Sequence, residues 1–153
     1  MVDELLYVCN ISQYHQEWLL DYGASHHMCP HRSWFYSYQA INGGIVLMGN
    51  NTSCKTVGIG SITIKLFNGI VRTLTKARHV PELKNNLISL VILDFGGYKF
   101  TCQGGALKVS KGILVVMKAT KIGNLYKLEG STEINEAVVV SKEANESTRL
   151  WHQ

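Results

Sequence analysis

The chain has 153 residues, 46% of them apolar and 17% charged, with 14 Gly and only two Pro. That length supports one domain with a core of its own, and seven Tyr, four Phe and three Trp argue against a disordered chain. No apolar run approaches the roughly 20 residues of a membrane span, so no membrane partner is expected. The formal net charge is +4, yet from Lys55 to Lys127 twelve Lys and Arg stand against two acids, Glu82 and Asp94. A basic middle of this kind suits nucleic acid or an acidic polypeptide, but Lys and Arg also belong on the wet faces of strands, where they discourage edge pairing. The second reading is preferred; nucleic acid is possible but not favoured as a partner. Met1-Val2-Asp3-Glu4 begins the chain with acids where a signal peptide carries positive charge. Cys9, Cys29, Cys54 and Cys102 show no CxxC spacing. A reduced, intracellular and cytoplasmic setting is expected, with no cofactor.

In chain order, residues 1–17 form a lead-in without a clear period. From Trp18 short apolar bursts alternate with Gly and Asn, the rhythm of many short strands. Trp18-Leu19-Leu20 is a buried strand ending at Asp21-Tyr22-Gly23-Ala24. Ile45 to Met48 is another, followed by the turn cluster Gly49-Asn50-Asn51-Thr52-Ser53 and an antiparallel return at Lys55-Thr56-Val57. Ile62, Ile64 and Leu66 alternate with Thr63 and Lys65; Asn68-Gly69 then predicts a hairpin turn, and Ile70 to Thr75 pairs back. Pro81 breaks the strand. Leu83, Leu87, Leu90 and Val91 predict one short helix over Leu83 to Leu93, closed by Gly96-Gly97. Further strands are predicted at Tyr98–Cys102, Ala106–Ser110, Gly112–Lys118 and Leu125–Leu128. After Gly130 the composition turns to Ser, Thr, Glu and Asn around Ala137 to Val140, which predicts a linker. The expected fold is a mostly-β barrel with one short helix over residues 18–130.

The chemistry centres on Asp21. A strand that delivers an Asp into a Gly-containing turn is how aspartic proteases present a carboxylate. Two such groups share one proton, because like charges about 3 Å apart do not both ionise. One then activates water as general base while the other helps polarise the scissile carbonyl. Gly23 lets the loop come close enough for backbone N–H groups to hold the carboxylate. Alone, D-x-G is a weak signal, and an exposed Asp-Gly turn is its ordinary meaning.

Three more segments accompany it. Trp18-Leu19-Leu20-Asp21-Tyr22-Gly23-Ala24-Ser25-His26-His27-Met28 resembles the W-[LI]-[LI]-D-S-G-A-[ST]-x-H-M opening of the protease domain in copia-type retrotransposon Pol polyproteins. Val46-Leu47-Met48-Gly49-Asn50-Asn51 and Val57-Gly58-Ile59-Gly60 resemble that family's next segment. His79-Val80-Pro81 through Leu90 resembles its VPxLxxNLxSL helix entry. Leu150-Trp151-His152 resembles the start of the zinc-binding segment that precedes integrase. The resemblance is collinear over about residues 17 to 153. It implies a closed retropepsin-like β-barrel at 18–130, a linker at 131–149 and a truncated pre-integrase start at 150–153. It also implies a flap made of Met48, Gly49, Asn50, Asn51, Thr52 and Ser53, over a cleft that takes a polyprotein or peptide substrate in extended form. With one plausible catalytic Asp per chain, the dyad calls for Asp21 from each subunit of a homodimer.

The family has Ser or Thr where this chain has Tyr22. In related proteases that small hydroxyl ties the two active-site turns together. A phenol is expected to overpack that point, at a cost of about 1–3 kcal/mol, and to impair activity. The alternative is a non-enzymatic β-barrel module that binds peptide or nucleic acid. Other constellations are read as structural. Ile92-Leu93-Asp94-Phe95-Gly96 repeats the D-x-G pattern but lies too close in sequence to begin a second lobe. His26, His27, Cys29 and His31 lack the second ligand pair a zinc site needs. His152 is at most the remnant of a site whose other ligands would follow Gln153, so no complete metal site is expected. Trp34, Phe35, Tyr36 and Tyr38 are expected to pack against a barrel end rather than stack bases. Cys54 and Cys102 are expected to be buried or flap-side thiols.

Overall fold

Runs of β-branched and aromatic residues cut by Gly and Asn become short strands. The computed structural model describes residues 15–47 and 52–134. The strands are β1 (Trp18–Asp21), β2 (Met28–Cys29), β3 (Phe35–Ala40), β4 (Ile45–Leu47), β5 (Ser53–Lys55), β6 (Gly58–Leu66) and β7 (Val71–His79). After β8 (Asn86–Ser89) comes the helix α1 (Leu90–Phe95), then β9 (Lys99–Gln103), β10 (Ala106–Lys111), β11 (Leu114–Ile122), β12 (Leu125–Leu128) and β13 (Gly130–Thr132). The protein is thus mostly β with one short α-helix among the described residues.

Eleven strands form one sheet, in the order β13-β6-β7-β2-β8-β1-β12-β11-β10-β9, with β3 also paired to β6; β4 and β5 form a separate hairpin. The ladder is open: among the described residues no pairing joins β13 to β9. It nevertheless curls. The Trp18 indole N–H of β1 donates to the Thr132 hydroxyl of β13 at 2.8 Å, although four strands separate them in the sheet order. Trp18, Leu20, Ile62, Ile64, Leu107, Val109 and Leu128 meet in the main core inside that curl. Leu19 points to the opposite face of β1 and joins a second cluster with Ala24, Met28, Cys54 and Leu87. Burial of both faces of β1 is worth about 2 kcal/mol for each large side chain and fixes its register, since a one-residue slip would exchange the two clusters.

The β6–β7 hairpin forms as the alternation predicts, with Ile62, Ile64 and Leu66 buried and Lys65 exposed. Gly69 takes φ of 83°, and the Asn68 side chain accepts the Ile70 N–H at 3.1 Å. The glycines of Val57-Gly58-Ile59-Gly60 have a steric reason. A Cβ on Gly58 would enter the Tyr38 ring, and one on Gly60 would press on the Ser37 carbonyl, so both let β3 lie close to β6. Of the twelve Lys and Arg between Lys55 and Lys127, eight are exposed as the wet-face reading expects, whereas Arg72, Arg78, Lys118 and Lys127 are half-buried.

The helix expected over Leu83 to Leu93 is corrected. Asn86–Ser89 is a strand, parallel to β1 from Trp18↔Asn86 to Asp21↔Ser89, and only Leu90–Phe95 is helical. All four residues of β8 are buried: β1 and β2 flank the strand in the sheet, Ile88 packs into the main core on one face and Leu87 into the second cluster on the other. A strand covered on both faces is apolar without alternation, which a short run does not distinguish from a helix. The sheet also continues past Gly130: Ser131 and Thr132 pair with Lys65 and Ile64, so these two residues are sheet rather than linker. The return strand of the β4 hairpin starts earlier than expected, at Ser53, and ends at Lys55.

Candidate active-site turn

β1 ends at Asp21 because the two buried leucines before it give way to a charged group, and that carboxylate is half-buried. Its Oδ1 accepts the Gly23 N–H at 2.8 Å, which curls Asp21-Tyr22-Gly23 into a tight turn. A Cβ on Gly23 would sit 3.2 Å from the same oxygen, so glycine keeps the turn closed on its carboxylate.

Ser89 anchors the turn from below. It stands opposite Asp21 in the parallel β1–β8 register, and its hydroxyl donates to the Ala24 carbonyl at 2.7 Å. The same oxygen accepts the Ile92 N–H at 3.1 Å as the N-cap of α1. The Ser89 N–H in turn donates to Nδ1 of His27 at 3.0 Å. His27 is buried, and burial foremost, with the nearby His26 second, lowers its pKa to about 4. Its ring is therefore neutral at pH 7, with the proton on Nε2. Turn, strand and helix start are locked through one serine and one imidazole, both of which stand at fixed positions of the D-S-G-A-[ST]-x-H-M and VPxLxxNLxSL motifs, although those motifs do not reveal this pairing. The local signal was a polar residue inside an apolar run: Asn86 and Ser89 flank Leu87-Ile88, and both are fully buried. Asn86 donates to the His15 and Glu17 carbonyls at 2.8 and 2.9 Å and so fixes the entry to β1.

Tyr22 is 56% exposed, and its ring meets Phe100 of β9 edge-on at 5.7 Å between centroids. Gly23 is exposed beside it, while Ala24 is buried. Of the expected flap residues, Met48, Gly49, Asn50 and Asn51 lie outside the described residues, and Thr52 and Ser53 are exposed at the start of β5, at the end of the hairpin away from its base. The hairpin that carries them stands apart from the large sheet and roots on the turn side of the molecule. Val46 and Cys54 pack into the cluster that contains Ala24, whereas Ile45 and Leu47 face outward. Paired bonds between Thr56 and Gly43 and Gly44 hold its base.

The other sequence candidates separate. Asp94 is exposed on α1, away from any role the turn requires of it. His27 bonds Ser89, the Cys29 thiol accepts the His31 N–H, and the His31 ring stacks on Trp34 at 4.2 Å. Burial pushes the Cys29 thiol up to about 12, which leaves it an inert packing group. Among the described residues no group of His, Cys, Asp and Glu is placed to hold a metal ion, and His152 lies outside them. Trp34 and Phe35 are core residues; the Tyr38 hydroxyl donates to His79 Nδ1 at 2.6 Å, with Arg32 over its ring, and Tyr36 is exposed. Cys54 is buried as expected, but Cys102 is corrected to exposed, because it lies on the edge strand β9.

With this arrangement in view, the comparisons are decisive at the level of family. Residues 18–98, over half of the chain, match the family model described as "Pol polyprotein, beta-barrel domain". The chain belongs to the Pol polyprotein β-barrel domain family. It is 39% identical over 137 residues to the retrovirus-related Pol polyprotein from transposon TNT 1-94 of Nicotiana tabacum. That match covers 90% of this chain and 10% of the tobacco polyprotein. Over 52 residues it is 40% identical to the uncharacterized mitochondrial protein AtMg00300 of Arabidopsis thaliana, covering 34% of this chain and 35% of that protein. No solved structure gives a significant match. The Pol domain match begins at Trp18, the first residue of β1, and ends at Tyr98, just beyond α1 and its Gly96-Gly97 cap.

Proposed function

We propose that this Pol β-barrel domain is an aspartic-endopeptidase-like unit of a copia-type element, which processes its own polyprotein as a homodimer and is impaired by Tyr22. The observation that carries the reading is Asp21, set at the end of a doubly buried strand and bonded by the Gly23 N–H. Two features support it. The open sheet curls until Trp18 of β1 reaches Thr132 of β13, which a barrel would require, and a freestanding hairpin roots beside the turn where a flap is needed.

In the working dimer the two Asp21 carboxylates hold one proton between them. The ionised one draws a proton from water, and the protonated one donates to the scissile carbonyl oxygen as the tetrahedral centre forms. The flap excludes bulk water from an extended polyprotein segment. Tyr22 stands next to Asp21 with most of its ring in solvent, on the face a partner's turn must approach. A serine hydroxyl there would bond across; a phenol must be displaced from Phe100 or accommodated by the partner.

Peptidase assays at mildly acidic pH, with and without pepstatin, test this on wild type, Tyr22→Ser and Asp21→Asn. Tyr22→Ser is expected to cleave about tenfold faster than wild type, the equivalent of about 1.4 kcal/mol, and Asp21→Asn to lose all pepstatin-sensitive cleavage. Wild type as fast as Tyr22→Ser removes the impairment, and cleavage that survives Asp21→Asn removes the protease.

A further inference from the structure

β7 pairs with β6 along its length but with β2 only at Arg78 and His79. From Val71 to Thr75 its second edge therefore has no strand partner among the described residues. In an antiparallel ladder the main-chain groups of alternate residues face the same side. The Leu66 N–H donates to the Ile70 carbonyl, which turns Ile70, Arg72 and Leu74 toward β6 and directs the N–H and C=O groups of Val71, Thr73 and Thr75 outward.

A groove of about 380 Å³ runs along that edge. Its far wall is apolar, from Ile92 and Leu93 of α1 and Met117 of β11, with Tyr98 beside them. No Asp or Glu lines it, whereas Arg72 and His27 do. The Arg72 Nε–H is buried and has no acceptor in the structure. His27 uses Nδ1 for the Ser89 N–H, so its remaining ring nitrogen is a donor as well. A buried guanidinium N–H without an acceptor is costly, and a ligand that brings a carboxylate relieves it.

We propose that this groove binds an extended peptide that carries an Asp or Glu, adding to β7 as a strand and placing its carboxylate on Arg72. The outward main-chain groups of Val71, Thr73 and Thr75 supply the strand pairing, and the apolar wall receives the peptide side chains flanking the acid. Arg72 and the acid are then cross-strand neighbours on one face, the position at which opposite charges favour pairing. The site is separate from the Asp21 turn and does not depend on proteolysis.

The test uses the full chain and a fluorescein-labelled seven-residue peptide, Thr and Val in alternation with Glu at its centre, beside its Gln counterpart. Anisotropy titrations are expected to show the Glu peptide bound about tenfold more tightly than the Gln peptide, with Arg72→Gln erasing that difference. Thr73→Pro removes one outward N–H while leaving the β6 ladder intact, and is expected to weaken both peptides about tenfold or more. Backbone amide shifts on titration are expected at Val71, Thr73 and Thr75. Equal binding of the two peptides, undiminished binding to Thr73→Pro, or shifts confined to the β4–β5 hairpin would each overturn the proposal. So would a uridine oligonucleotide that binds where neither peptide does and is lost in Arg72→Gln, because the groove would then serve nucleic acid.

Discussion

His27 shows how one buried ring couples the candidate site to pH. Its folded pKa of about 4 lies below the value near 6.5 expected of an exposed histidine, chiefly because burial disfavours the charged ring. Between those values the unfolded chain binds more protons than the folded one, so stability rises with pH. The contribution is complete above about pH 6.5 and is lost as pH falls toward 4, up to about 3 kcal/mol. His79 adds in the same direction: burial first, and then nearby Arg32 and His31, hold its pKa low despite the opposing bond to the Pro30 carbonyl. Denaturant titrations at pH 7, 5.5 and 4 are expected to show this fall in wild type. His27→Asn places an amide oxygen where Nδ1 accepts the Ser89 N–H and has nothing to titrate, so the slope should flatten. An unchanged slope would assign the pH dependence to other groups. The shared-proton chemistry proposed for Asp21 favours acid, while His27 penalises it. Cleavage in a reactivated variant is therefore expected to peak at the upper end of the mildly acidic range.

Between elements, the point of greatest leverage is the junction of β8 and α1. The Ser89 hydroxyl caps α1 through Ile92 and holds the Asp21 turn through Ala24. Ser89→Ala removes both bonds and leaves a buried carbonyl without its donor, an expected loss of about 2 kcal/mol. The check is a lower urea midpoint with an unchanged m-value, since compactness should not alter. An unmoved midpoint would mean that packing alone holds the junction. This junction was also the least legible part of the sequence. The β6–β7 hairpin could be read directly, because one face is wet and Ile62, Ile64 and Leu66 alternate with polar neighbours. The Asp21 turn could be read for a similar reason, as a charge and a glycine ending an apolar run. β8 could not, since burial on both faces erases the period and leaves Asn86 and Ser89 resembling faults in a helix. β2 and β13 are too short, at two and three residues, to show any period at all.

The whole molecule is an open ladder bent until its first described strand meets its last. The resemblance implies a closed barrel but not the contact that brings the two ends of the ladder together, because that bond joins Trp18 to Thr132 across 114 positions of chain and Thr132 is not unusual in its own neighbourhood. Trp18 is fully buried, so its indole N–H has no access to water as a substitute acceptor. Thr132→Val keeps the shape of the side chain and deletes that acceptor, which strands the donor at a cost of about 1–3 kcal/mol. Thr132→Ser keeps the hydroxyl and loses only a methyl group, so it should remain within about 1 kcal/mol of wild type. Urea unfolding of the three proteins separates two origins for the curl. If Thr132→Val falls and Thr132→Ser does not, the hydrogen bond contributes to holding β13 against β1 and thereby keeps the core between β6 and β10 covered. If both variants unfold with wild type, the bend is set by core packing around Ile62, Ile64 and Val109, and the indole bond merely accompanies it.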